Sequence, residues 1–378
     1  MTLRRVLCVS AACLALIASS ALAQPDKGIG RHAEPDPGVI HLNSAPNTVH
    51  RGILSPYLQP VLTIKSGQTV EIDTVSHGGL QGDPVRFFAR AGIKANDVLP
   101  DAVAISMMAR PAPPPGTPPA LAAGGGGHVL TGPIFIDGAE PGDLLEVRIL
   151  KVTPRVRYGV NNAGNGGAAP GMMHDHPPPP GGKVIRYDVA SNTVNFAPGI
   201  HFPMRPFMGI MAVAPTQTIS SRSPGIYGGN MDFEKLQAGA TLYLPVLVRG
   251  ALFVTGDSHA GQGDGEVSGN AIEASMAPTL QFIVHKGAGQ DLTMPYAEDA
   301  RNFYILGMNP SLNLALDFAV RETVDFLGRN YGLSKPDAYS LCSTGIDFGI
   351  AEAVDQNLVV YATIPKDWFA KKFAYWKS

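Results

Sequence analysis

Cysteine is nearly absent from this sequence: there are 3 in 378 residues, and Cys8 and Cys13 lie in an apolar N-terminal stretch. Beyond that stretch only Cys342 remains, which excludes an intrachain disulfide and leaves stability to a hydrophobic core. Charge is scarce as well, with Asp, Glu, Lys and Arg at 16 % of the chain and a formal net charge of -2. That balance argues against nucleic acid or an acidic membrane surface as a partner and favours small molecules. No repeat period is present.

The chain opens Met1-Thr-Leu-Arg4-Arg5, runs through an apolar segment from Val6 to about Ile17, and reaches Ala21-Leu22-Ala23 before Gln24. A charged start, a short apolar run and an A-x-A site are the parts of a cleavable signal peptide over residues 1–23. The run is too short to stay behind as a membrane-spanning anchor. The expected mature protein, residues 24–378, is then periplasmic or secreted, and is a single folded unit, built as two interleaved subdomains.

Glycine (43) and proline (33) are both plentiful beside a 45 % apolar share, which predicts many turns between short strands. Strand-type runs occur at Thr69 to Val75, Tyr243 to Val248, Ala251 to Thr255, Leu280 to His285 and Leu358 to Ile364, and Leu145, Val147 and Ile149 alternate onto one face. Two helices are expected near the C-terminus. Leu312, Leu316, Val320, Val324 and Leu327 form a stripe at helical spacing with Gly328 near its end, and Ser334-Lys-Pro-Asp337 reads as the cap of a second helix carrying Cys342. The fold class is therefore β-rich α+β, with sandwich or barrel sheets. Segments 111–127 and 164–182 are too rich in Pro and Gly to pack as element interiors and read as long loops, His174 and His176 included.

Chemistry concentrates between Gly228 and Glu273. There the chain reads Gly228-Gly229-Asn230-Met231-Asp232, then Gly256-Asp257-Ser258-His259-Ala260-Gly261-Gln262-Gly263-Asp264-Gly265-Glu266, then Ala271-Ile272-Glu273. Carboxylates and a histidine set among glycines at the end of an apolar strand need a physical reason in so uncharged a chain. Asn230 and Asp232, like Asp257 and His259, are two apart, so in an extended chain each pair shares a face. A mixed O/N donor set suits zinc or another divalent ion, calcium included. Other hydrolytic designs fit poorly. Gly256-Asp-Ser258-His-Ala260 fails the last position of a G-x-S-x-G elbow, Ser220-Ser221 lacks a partner lysine and a glycine-rich setting, and Cys342 belongs to a core helix.

These same blocks, with Pro245-Val246, Gly250-Ala251-Leu252, Thr131-Gly132-Pro133, Gly138-Ala-Glu-Pro-Gly-Asp143, Asp337-Ala-Tyr-Ser-Leu341 and Ile364-Pro-Lys-Asp-Trp-Phe369, resemble the acetamidase/formamidase family. The resemblance runs from about Ser66 to Phe369 and is most specific in the Gly256–Glu266 block. It implies a β-rich fold, a divalent metal, and hydrolysis of short linear amides to an acid and ammonia. Asp232, Asp257, His259, Glu273 and His77 are the expected ligands; Glu266 is the expected proton-transfer group, with Asp264 beside it, and Asn230 an amide donor to the developing oxyanion. Tyr227 and Gly78 depart from the family's usual residues at positions expected to line the pocket. A lactam hydrolase and a non-catalytic periplasmic binding protein are the alternatives, and a homo-oligomer is compatible with all three.

Overall fold

In a computed structural model of the chain, residues 38–109, 112–122, 127–163, 167–177 and 179–370 are described; the expected leader, residues 1–23, lies outside them. Two large sheets dominate. The nine-stranded sheet runs, in spatial order, through Val39–Leu42, Thr69–Ile72, Met276–His285, Leu144–Pro154, Thr241–Pro245, Tyr296–Glu298, Asn302–Asn309, Leu358–Pro365 and Asp347–Glu352. The six-stranded sheet orders Gly228–Asn230, Phe207–Ala212, Phe253–His259, Val129–Asp137 and Val49–Arg51, with Leu62–Lys65 parallel to the far half of Val129–Asp137. Both sheets are open-ended, so the barrel alternative among the sequence expectations is corrected to packed open sheets.

The alternation Leu145, Val147 and Ile149 places one face of the nine-stranded sheet against Ile134, Ile136, Met208, Met211 and Phe253 of the six-stranded one. Phe253 and Phe282 meet across this layer with ring centroids 4.9 Å apart. Fully burying side chains of this size stabilises by roughly 1.5 to 3 kcal/mol each. Opposite, Leu144, Tyr243, Phe303, Ile305 and Ile364 are covered by Phe326, Leu327, Ala338 and Cys342 of two helices, Leu312–Tyr331 and Lys335–Thr344. With both faces covered, Leu144 to Val147 are buried without interruption, Glu146 included.

The long helix differs in register from the sequence expectation. Its buried residues are Ala315, Ala319, Thr323, Phe326 and Leu327, while Leu316 is exposed, and it runs through Gly328 to end at Gly332 in the left-handed region (φ 71°). Small residues win because the helix lies directly on the sheet: a methyl group at Gly307 would strike the backbone of Ala315 and Ala319. Three short helices, Pro84–Ala89, Pro100–Ser106 and Pro119–Ala122, carry too few turns to show a periodic stripe, and each opens on proline. The last of them lies inside the proline-rich segment expected to be a plain loop.

Candidate active site

The strand expected to stop at Thr255 continues through Asp257 to His259, so these two residues lie within a central strand between Phe207–Ala212 and Val129–Asp137. Asp257 is in the left-handed region (φ 51°), as are Asp232 (φ 39°) and Glu266 (φ 42°). Non-glycine residues are held there only when their surroundings over-determine the backbone, and here the constraint falls on three carboxylates of one site. Glu273 arrives from a segment slotted beside this strand, with Ala274 N donating to Ser258 O at 2.8 Å and Glu273 N to Val160 O at 2.9 Å. His77 follows Thr74, whose N donates to Met276 O at 2.9 Å, and Asp232 follows Met231, whose N donates to Gly209 O at 3.1 Å.

These four segments meet, and a fifth brings in His128. Nδ1 of His77 lies 3.1 Å from Oδ1 of Asp257, Nε2 of His128 lies 3.6 Å from Oδ2 of Asp257, and Nε2 of His259 lies 3.3 Å from Oε2 of Glu273. Asp232 Oδ1 is 3.9 Å from His259 Nδ1. Three overlapping ligand-type groups result, His77/His128/Asp257, Asp257/His259/Glu273 and Asp232/His259/Glu266, each with its donor atoms within 4.8 Å of one another. His77 Nδ1, Asp232 Oδ1, Asp257 Oδ1, His259 Nε2 and Glu273 Oε2 are all buried without an aligned hydrogen-bond partner. Buried polar atoms left unpaired are costly, and several converging on one point fit a cation. These buried His, Asp and Glu groups could hold a metal ion.

The supporting contacts orient the same atoms. His259 Nδ1 lies 3.1 Å from Oε1 of Gln262, whose Nε2 donates to Asp232 O at 2.6 Å, so the imidazole turns Nε2 toward Glu273. His128 Nδ1 pairs with Ser221 Oγ at 3.0 Å, which aims Nε2 at Asp257, and Glu273 Oε1 accepts from Ala271 N at 3.0 Å. Burial works to raise the pKa of Asp257, but the His128, His77 and His259 rings outweigh it and hold this carboxyl well below its ordinary range. Burial would lower His259, yet Glu273 and Asp257 lift it to about 10. Asp232 and Glu266 are both pushed well above the usual carboxylate range, mainly by burial and then, for Asp232, by neighbouring carboxylates.

Two expected roles are corrected. Asn230 Nδ2 donates to Asp232 at 2.8 Å and also to Asp355, which commits both amide hydrogens and leaves only the buried Oδ1, an acceptor. It cannot then serve as an oxyanion donor. Asp264 is half exposed, accepts from Tyr361 OH at 2.6 Å and lies outside all three ligand-type groups, so it anchors its loop. Tyr227 turns into its own loop, its hydroxyl donating to Ser223 O at 2.7 Å, whereas Gly78 lines a cavity of about 310 Å³ that opens beside His77 and Glu273. His128 and Asp355 carry no local signal in the sequence. His128 directly follows a glycine run expected to be loop, and Asp355 lies about ninety residues beyond Glu266.

The chain matches the Acetamidase/Formamidase family over residues 123–225 and 216–371. It belongs to that family. A Schizosaccharomyces pombe protein with a provisional formamidase name is 29 % identical over 224 residues, covering 44 % of this chain and 54 % of that protein. A Methylophilus methylotrophus formamidase is 26 % identical over 195 residues, 37 % of this chain and 47 % of its own. The chain thus spans about half the length of the curated relatives it matches. The crystal structure of an acetamidase from Yersinia enterocolitica superposes with a TM-score of 0.70 at 27 % identity, over 91 % of this chain and 96 % of that one.

Proposed function

We propose that this family member hydrolyses short linear amides to a carboxylic acid and ammonia with a divalent metal, zinc, as cofactor. The observation that carries the reading is the convergence of five buried, unpartnered ligand atoms from His77, Asp232, Asp257, His259 and Glu273, with His128 beside them. Imidazole nitrogens mixed with carboxylate oxygens are the donor set of a borderline divalent ion. When bound, such an ion supplies Lewis acidity toward the amide carbonyl and lowers the pKa of water toward neutrality.

The protein's own groups do the rest. Gln262 and Ser221 fix the rings of His259 and His128, and the cavity beside Gly78 admits the amide. Glu266, buried and grouped with Asp232 and His259, accepts the proton of the attacking water and delivers it to the departing nitrogen. Water adds its oxygen to the acyl carbon, the C–N bond breaks, and the nitrogen leaves as ammonia. The N-terminal pattern supports export, which makes the reaction periplasmic or extracellular.

The test is ammonia release from formamide, acetamide and longer amides by purified protein, with and without chelator, followed by metal repletion. Release that chelator abolishes and zinc restores is expected. Release indifferent to a chelator that strips all bound metal overturns the metal role; no release from any amide overturns the amidase reading.

A further inference from the structure

The cavity beside the ligand cluster is too large for the smallest amides. A water molecule's share of liquid is about 30 Å³, and acetamide has only four heavy atoms. A space of about 310 Å³ therefore has room for an acyl chain well beyond acetyl. It is lined by His77 and Glu273 of the cluster, by Val160 and Phe87, and by Asn162 and Arg90. Apart from the two residues of the cluster, Arg90 is the one ionisable group among the described lining residues.

Arg90 is exposed and is stacked on an aromatic ring without being neutralised. Its guanidinium carbon sits 4.7 Å over the Phe87 ring, and its Nε is 3.4 Å from Phe87 O. Among the described residues no carboxylate forms an ion pair with it. Phe87 is itself clamped. A methyl group at Gly79 would come within 2.8 Å of the ring, one at Gly181 would lie 2.5 Å from it, and both glycines have positive φ (82° and 80°). The ring also meets Phe88 edge-on at 5.0 Å. One residue beyond Arg90, Ala91 O accepts from Arg186 at 2.8 Å, so a second guanidinium flanks the same turn. An exposed arginine laid over an aromatic ring at the rim of a cavity with no other free charge suits recognition of a carboxylate.

Building on the amidase reading, we infer that the preferred substrates are linear amides whose acyl chain is longer than acetyl and ends in a carboxylate, with Arg90 as the specificity-determining residue. The amide end meets the ligand cluster and the carboxylate end meets Arg90; hydrolysis yields a dicarboxylate and ammonia.

The experiment compares kcat/KM of the metal-loaded enzyme for the monoamides of succinic and glutaric acid with butyramide and pentanamide, their length-matched neutral counterparts. Acetamide serves as the reference substrate. The anionic member of each pair is expected to be favoured at least tenfold, chiefly through KM, and the preference should shrink as salt is added. Arg90→Gln should lower the anionic-to-neutral ratio about tenfold, and Arg90→Glu should invert it. Equal or better use of the neutral amides by the wild type, or a ratio unmoved in both variants, overturns the inference while acetamide turnover leaves the amidase reading standing. Failure of every amide, acetamide included, overturns both.

Discussion

Gly209 lies outside every motif block, yet the structure packs the site tightly against it. A methyl group there would collide with Oδ1 of Asp232, lie 2.7 Å from Asp257 O and come within 3.0 Å of His259 Cε1. Gly209 belongs to Phe207–Ala212, hydrogen-bonded on one side to Gly228–Asn230 and on the other to Phe253–His259, so the backbone has little room to retreat. Its own φ is not in the left-handed region, so alanine is conformationally allowed and the effect is steric alone. Overpacking a buried position costs about 1 to 3 kcal/mol, a drop of a few degrees in Tm. Because the methyl would strike the ligand atom Asp232 Oδ1 and press on the backbone of Asp257 and the ring of His259, and a misplacement of about 1 Å can cost ~10²-fold in rate, Gly209→Ala should lose at least that much kcat along with bound metal. The control is Gly263→Ala, inside the motif block but with nothing within 4 Å of the added methyl, which should retain activity and Tm. Kinetics, metal content and melting are measured on both. Full metal and near-normal kcat in Gly209→Ala would refute the placement of Asp232 and Asp257 as ligands.

Asp257→Asn and His259→Ala should each abolish amide hydrolysis and bound metal while circular dichroism stays native; activity within a few-fold of wild type in either removes that residue from the ligand set. Glu266→Gln should lower kcat by about 10² with metal retained; a normal kcat with a loss of roughly 1 to 3 kcal/mol in stability would show a loop anchor instead. Ser221→Ala, which frees His128 Nδ1, should weaken metal affinity about 10- to 100-fold, with Ser221→Thr restoring most of it; unchanged affinity in the alanine variant refutes the orienting role. His50 is buried and its pKa is depressed from 6.5 to about 4 by desolvation. Between those values the unfolded chain binds a proton that the folded protein refuses, so stability falls by about 3 kcal/mol as pH drops from 6.5 toward 4. His50→Leu should flatten that slope in denaturant titrations, and an unchanged slope would count against it.

Much of this site was legible because its signals are local. The spacing of Asp257 and His259, their place at the end of an apolar strand, and the carboxylates of Asp232, Glu266 and Glu273 among glycines can all be read within one stretch of chain. So can the alternation of Leu145, Val147 and Ile149, because a strand's side-chain period is a property of its own backbone. Only the tertiary structure decided which of these residues meet. Sheet register brings His77 and His128 to Asp257, turns Asp264 outward to Tyr361, and places Asp355 where it takes a hydrogen of the Asn230 amide. The same holds for the long helix, whose buried face was settled by how closely it lies on Gly307: Leu327 of the expected stripe is buried, but Leu316 is exposed and Ala315 and Ala319 take the core positions. Spacing along the chain specifies which face a residue shares with its neighbours; what that face meets depends on how other segments of the chain are brought against it.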